Sequence, residues 1–229
     1  MATVLAIHAA PADVPLLTGG TIARLADAGH RVVVVLLTGE APGGLADGLG
    51  IARLETLGYP LELEAESAVP LNEATGRILE LVGDDRPELI LGYNSIGVVH
   101  EPTHVRAHEI AHALANELGA PSVEAALPRE LVDRGVQLAK TLRKEVPLEE
   151  SQIAQFPSKD DLAYDIKAGK AFDRKWSAMQ AVGGGADRFS RLLARGLAFP
   201  KLVVGQLFKN EHFGTGVGEA PAFFTELAK

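Results

Sequence analysis

The chain has no cysteine, which excludes a disulfide framework, a thiol nucleophile and a thiolate metal site. It has no apolar run approaching the ~20 residues needed to span a bilayer. Its N-terminus lacks a charged segment leading into a long apolar core. There is no internal repeat and no low-complexity linker. Positive charge is in deficit: 22 Lys and Arg stand against 30 Asp and Glu, for a formal net charge of −8. Phosphates repel such a surface, so neither a nucleic acid nor an anionic membrane is an expected partner. The expectation is a cytoplasmic protein with a small-molecule ligand, homo-oligomerisation being left open. At 229 residues and 47% hydrophobic the chain can bury a sizeable core. No boundary divides it, so residues 1–229 read as one domain.

What is present is alternation. Val4–Ile7 is short, continuous and apolar, fitting a strand covered on both faces. Thr18-Gly19-Gly20-Thr21 opens a helix whose stripe is Ile22, Leu25 and Ala26, with Gly29 as its stop. Arg31–Thr38 is a β-branched buried strand. Leu45–Gly58 reads as a weak helix, Leu61–Glu64 as a short edge strand, Leu71–Val82 as an amphipathic helix and Leu89–Gly92 as another buried strand. The first ~95 residues thus alternate strand and helix, which implies a Rossmann-like, doubly wound and mostly parallel α/β sheet flanked by helices. The remainder is less regular. Helices are expected at His104–Leu118, near Glu130–Lys144, from about Lys167 to Val182 and at Arg188–Leu197. A loop-like tail carries Gly214, Gly216 and Gly218.

In such a sheet, ligands bind at the loops following the strands. Two loops meet that description. The first holds Asp13 and leads to Gly19-Gly20, whose backbone N–H groups could face an anion at the helix start. Asp13 has a plain alternative, accepting N–H groups at a turn or helix start. The second loop, Tyr93–Thr103, leads into His100, His104, His108 and His112, spaced by four. At ~100° per residue, Ala107, Ile110, Ala111, Leu114, Ala115 and Leu118 define one face of the helix. His104 lies near the edge of that face, His108 at its border, and His112 toward Glu109 and Asn116. A His pair at i,i+4 can hold a metal, but H-E-x-x-H is absent, and ordinary partly buried or surface histidines remain the alternative. His8 shares strand parity with Ala10 and could face the same site, or be a buried hydrogen-bonded histidine.

The run V-L-A-I-H-A-A-P-A-D-V-P-L-L-T-G-G-T-I-A-R-L-A-D-A-G-H-R-V resembles the opening of the PIG-L/LmbE-like zinc-dependent N-deacetylases. That family reads A-H-P-D-D-E, then Gly-Gly, T-x-A-R-L and A-G-H-x-V. His100-E-P-T-His104 is similar to its H-P-D-H signature. Asp165 through F-D-R-K-W-S-A-M-Q-A is similar to a late segment leading to H-x-S-Q, and Glu211-His212-Phe213 echoes a terminal E-x-F. The resemblance covers about residues 3–213. It implies hydrolysis of N-acetyl groups on amino-sugar conjugates, with zinc as cofactor.

The departures fall where that chemistry belongs. Ala10 stands at the first ligand position, Ala12 at the base position and Pro15 at the following Glu. Val182, Gly184 and Gly185 replace H-x-S-Q, and no Arg and Glu pair precedes Leu57-Gly58. Two of three ligands are left, Asp13 and His104. Hydrolytic zinc generally uses three protein ligands and an open water position. A third donor would have to come from His8 or His100, His100 also being the candidate catalytic residue. The resemblance places the substrate pocket around Ala10, Ala12, Gly19, Gly20 and Asn94. It leaves three readings open: a pseudoenzyme or binding protein that keeps the pocket for a small amino-sugar-like or pathway metabolite, with no cofactor; a different, metal-free reaction in the same pocket; or an active hydrolase of amino-sugar-like amides with zinc in a remodelled site.

Overall fold

Three uninterrupted apolar runs make the centre of the sheet: β1 (Thr3–His8), β2 (Arg31–Thr38) and β4 (Leu89–Tyr93). Their residues are buried except at the first position of β1 and β2. Central parallel strands covered on both faces require that pattern. The computed structural model describes residues 1–60, 69–83, 85–141, 143, 148–183, 193–194, 197–198 and 201–229. Among these the sheet has seven strands in the order β3-β2-β1-β4-β5-β7-β6. Here β3 is Arg53–Tyr59, β5 Ser122–Ala126, β6 Tyr164–Lys167 and β7 Asn210–Thr215. The first five are parallel, while β7 runs antiparallel to both β5 and β6. Leu5 of β1 pairs with Val33 on one side and Ile90 on the other. The strand order therefore reverses at β1 and β4, the switch point where open α/β sheets bind ligands.

The helices are α1 (Gly19–Asp27), α2 (Leu45–Leu49), α3 (Leu71–Val82), α4 (Gly97–His100), α5 (Pro102–Leu118), α6 (Arg129–Thr141), α7 (Glu150–Ile153) and α8 (Phe172–Val182). Among the described residues two further helices span Lys201–Phe208 and Ala222–Thr225. Helix α8 packs on α1 and α2, while α3 packs on α5, which lies over β1, β4 and β5. The stop at Gly29 is as expected. Its φ is +83°, its N–H reaches Ala26 O and His30 N–H reaches Leu25 O, the paired bonds of a Schellman ending.

Three sequence expectations need correction. The helix expected over Leu45–Gly58 stops at Leu49, because Gly50 takes φ +75°. Arg53–Tyr59 pairs with β2 as an edge strand instead. The helix expected from Lys167 begins at Phe172, since Tyr164–Lys167 is a strand paired with β7. The tail is a loop only in part: Gly214 lies in Asn210–Thr215, held between β5 and β6, while Gly216 and Gly218 follow outside the strand. The expected strand Leu61–Glu64 lies outside the described residues, as does most of Arg188–Leu197.

A buried ion pair ties the late segments to the start of α1. Lys175 Nζ on α8 lies 2.5 Å from Glu211 Oε1 on β7 and donates to Leu16 O at 3.0 Å. The two Glu211 oxygens accept the N–H groups of Gly20 and Thr21, each at 2.7 Å. These are orphan donors of a helix N-terminus, where negative charge is favoured. Position 20 must be glycine for space, because a Cβ there would stand 2.6 Å from Ala168 Cβ and 3.1 Å from its Cα.

Candidate functional site

The end of β1 turns sharply. Asp13 N–H reaches Ala10 O, and Ala10 N–H donates to Asp13 Oδ2 at 2.8 Å, closing a tight turn around Pro11 and Ala12. A buried π-helical turn, Val14–Thr18, then feeds α1. The turn therefore carries Asp13 to the end of β4, where Tyr93 donates its hydroxyl proton to Asp13 Oδ2 at 3.0 Å. From the first turn of α5, His104 brings Nε2 to 3.3 Å from the same oxygen. Asp13 Oδ1 has no hydrogen-bond partner among the described residues.

His8 completes the cluster from the other side of Tyr93. Its Nδ1 lies 2.8 Å from the Tyr93 hydroxyl and its Nε2 lies 3.0 Å from Thr18 Oγ1. Because the phenol proton goes to Asp13, Nδ1–H donates to the phenol oxygen, and the Thr18 hydroxyl, which also reaches Val14 O at 3.2 Å, shares its one proton between that carbonyl and Nε2. Both imidazole nitrogens are thus used. Ala9 N–H also donates to the phenol, at 3.2 Å. The chain Thr18–His8–Tyr93–Asp13–His104 is closed to solvent, its four ring and acid residues being at most 2% exposed.

Burial decides the charge states. It drives the His8 imidazole down to about 4, overcoming the pull of Asp13, so that ring is neutral. Burial also works against an ionised Asp13. The charge and hydrogen bond of His104 outweigh it, with His8 and the Ala10 N–H assisting, and hold the carboxyl below its usual range. His104 is the mirror case: burial opposes its charge, but Asp13, Glu101 and a backbone hydrogen bond at Gly97 raise it. Burial and then Asp13 push the Tyr93 phenol well above its ordinary value. The arrangement is an Asp13–His104 ion pair with a neutral histidine–tyrosine support.

The loop between β4 and α5 is bent into shape by unusual backbone. Gly97, Val98 and His100 all take φ near +60°. At Gly97 an added Cβ would stand 2.8 Å from Val105, so the loop can approach α5 only with glycine there. Asn94 accepts the Val98 N–H at 2.9 Å and thereby organises the turn.

The sequence candidates are therefore sorted by position. Asp13, His104 and His8 converge. His100 does not join them: its Nε2 donates to Gln152 O at 3.0 Å and its ring stands edge-on to Phe156. Ala10 and Ala12 border the cluster as buried methyl groups. Gly19 and Gly20 are buried, and the Gly20 N–H expected to face a ligand anion is taken by Glu211. Val182 ends α8, and Gly184 and Gly185 lie outside the described residues. Sequence reasoning missed Tyr93 and Lys175. The first was legible as the polar end of an apolar strand; the second sits on the buried face of an amphipathic helix.

Zinc is the group to test against this donor set. The 3.3 Å between Asp13 Oδ2 and His104 Nε2 exceeds a charge-assisted hydrogen bond of about 2.7–2.9 Å. It is close to the spacing of two donors on one tetrahedral ion with bonds of about 2.0–2.1 Å. Two positions fit. The third does not, since Ala10 offers a methyl group, His8 has spent both nitrogens and His100 is held elsewhere. Among the described residues no group of three His, Asp or Glu side chains is set to hold an ion. The donor set does not fit a three-ligand hydrolytic zinc.

A different histidine cluster lies further along α5. His108 Nδ1 donates to Tyr93 O at 2.8 Å and lies 3.4 Å from Glu124 Oε1 on β5. Burial pushes the Glu124 carboxyl up to about 7, against the pull of His112.

In sequence the chain is similar to deacetylases. A 1D-myo-inositol 2-acetamido-2-deoxy-alpha-D-glucopyranoside deacetylase of Corynebacterium glutamicum is 32% identical over 155 residues, 51% of this chain and 53% of that protein. The homologous deacetylase 1 of Saccharopolyspora erythraea is 25% identical over 97% of this chain and 92% of its own length. These deacetylase relatives, with the shared fold, support a place in the PIG-L/LmbE-like N-deacetylase family. In the more identical pairings the match spans about half the length of the curated PIG-L/LmbE-like relatives. No protein-family model matches the chain. Solved structures agree on the fold. GalB, the 4-carboxy-2-hydroxymuconate hydratase from Pseudomonas putida, superposes with a TM-score of 0.59 at 16% identity, covering 96% of this chain and 98% of that one. The A40926 pseudoaglycone deacetylase Dbv21 gives the same TM-score, identity and coverage. Among the described residues no helix is long and apolar enough to cross a membrane.

Proposed function

We propose that this PIG-L/LmbE-like protein has left zinc-dependent N-deacetylation and keeps the family frame as a pseudoenzyme or a repurposed pocket for a small amino-sugar-like or pathway metabolite. One observation carries the reading. Asp13 Oδ2 serves at once Ala10 N–H, Tyr93 O–H and His104 Nε2, inside a cluster closed to solvent. Deacetylation needs a third metal ligand and a base for the attacking water. Methyl groups occupy both positions here. The fold does not oblige the chain to deacetylate, since a hydratase shares it.

The remodelled-site alternative, with zinc on Asp13, His104 and His8 or His100, would have to detach His8 from Tyr93 and Thr18, or His100 from Gln152 and Phe156. The test is release of acetate from N-acetylglucosamine conjugates, with and without added zinc. No release is expected from the wild-type chain under either condition. Zinc-dependent release abolished by Asp13→Asn would overturn the reading.

A further inference from the structure

Helix α6, Arg129–Thr141, is amphipathic, yet none of its residues is buried. At about 100° per residue, Leu131, Val132, Gly135, Val136, Leu138 and Ala139 share one side, a stripe of the width that normally faces a core. Among the described residues none of these side chains belongs to the hydrophobic core, and Leu138 is 41% exposed. The helix is held by its first turn instead. The Arg129 guanidinium donates to Phe156 O at 2.7 Å and to Ala154 O at 3.2 Å, and Glu130 Oε2 accepts the Lys159 N–H at 2.9 Å. Its principal packing partner among the described elements is the four-residue helix α7.

An isolated helix of this length is marginal in water, and helices in proteins draw most of their stability from packing an apolar face. Gly135 weakens the helix interior further. A Cβ there would meet nothing within 4 Å, so the packing within the chain does not require the glycine. The apolar face of α6 therefore lacks the neighbour that its sequence is built for.

We propose that this face is a dimerisation surface, on which α6 of a second copy of the chain packs antiparallel, apolar side to apolar side. The charges beside the stripe select that occupant. Asp133 and Lys140 lie two turns apart on the same flank, both exposed, and among the described residues neither is in an ion pair. A two-fold axis across an antiparallel pair sets each flank against the same flank of its copy. Asp133 of each chain then comes beside Lys140 of the other, twice per dimer. A parallel pair would set Asp133 on Asp133 and Lys140 on Lys140. Charges flanking an apolar helix seam decide partner and orientation in this way, and antiparallel helix dipoles agree. Gly135, at the middle of the helix, lets the two backbones approach closely where they cross.

The 13 residues of α6 are fewer than the about 20–30 a side of a standard interface, so the dimer should form and dissociate with concentration. This inference does not depend on the reading of the Asp13 cluster.

The experiment is sedimentation equilibrium of the full chain over a wide range of concentration. The wild type is expected to pass from monomer to dimer. Asp133→Lys and Lys140→Asp each set like charges together twice, and each should weaken association about tenfold. The double exchange Asp133→Lys/Lys140→Asp should restore it. Val136→Asp should abolish association and leave the circular dichroism of a folded chain. The proposal is overturned if the wild type stays monomeric at every concentration, which would leave the face to another occupant. It is equally overturned if Val136→Asp associates as tightly as wild type, or if the double exchange recovers nothing that the single exchanges lose.

Discussion

Asp13 Oδ2 and His104 Nε2 face each other at 3.3 Å with both side chains at most 3% exposed. One comes from the turn after β1 and the other from the first turn of the helix after β4. The contact therefore locks the two loops that flank the switch point, and in most sheets of this kind those loops separate around a ligand.

Breaking this pair should be costly. Removing one partner of a buried pair leaves an uncompensated charge, a loss of about 3–5 kcal/mol. Asp13→Ala and His104→Ala should each fall in that range by urea unfolding. The double variant should lose clearly less than the sum of the two, since the partners share one interaction. Additive losses would mean that the two residues act separately.

His8 sets an acid limit. Its folded value of about 4 lies below the ordinary 6.5, so the unfolded chain binds the proton first as pH falls. The stability that neutral His8 allows is intact above 6.5 and fades between 6.5 and about 4. The full shift amounts to about 3 kcal/mol. His104 works in the opposite sense: its raised folded value adds stability as pH falls toward 6.5, so its change is largely complete before the His8 window. His8→Asn preserves a donor to Tyr93 without titrating. Its stability profile between pH 7 and 4 should be flatter than that of wild type; identical slopes would contradict the assignment.

The Glu211–Lys175 latch makes a third test. Glu211→Ala strands Lys175 and two helix N–H groups, and should lower stability by about 3–5 kcal/mol. Glu211→Gln can still meet one N–H and should lose less. Gly20→Ala should cost about 1–3 kcal/mol by overpacking, because its Cβ meets the backbone of Ala168. Thermal melts of the three variants check the order.

How much of this could be read beforehand follows the physics of each element. β1, β2 and β4 are continuous apolar runs buried on both faces, and such runs announce themselves. Arg53–Tyr59 was misread because an edge strand with only Leu57 buried shows no strong period. Ser122–Ala126, Tyr164–Lys167 and Asn210–Thr215 are short, mixed segments that owe their form to pairing across long sequence distances. At the site, the convergence of Asp13, His8 and His104 was legible from loop position. That Glu211 would claim the Gly20 N–H was not, because its 191-residue separation leaves no local signal.

The most direct test of the account is the anomalous scattering of a crystal soaked in zinc, collected on both sides of the zinc edge. The account predicts no peak between Asp13 and His104, because His8 is held by Tyr93 and Thr18 and His100 by Gln152. A peak bridging Asp13 and His104, at bond distance from both, would contradict its central claim.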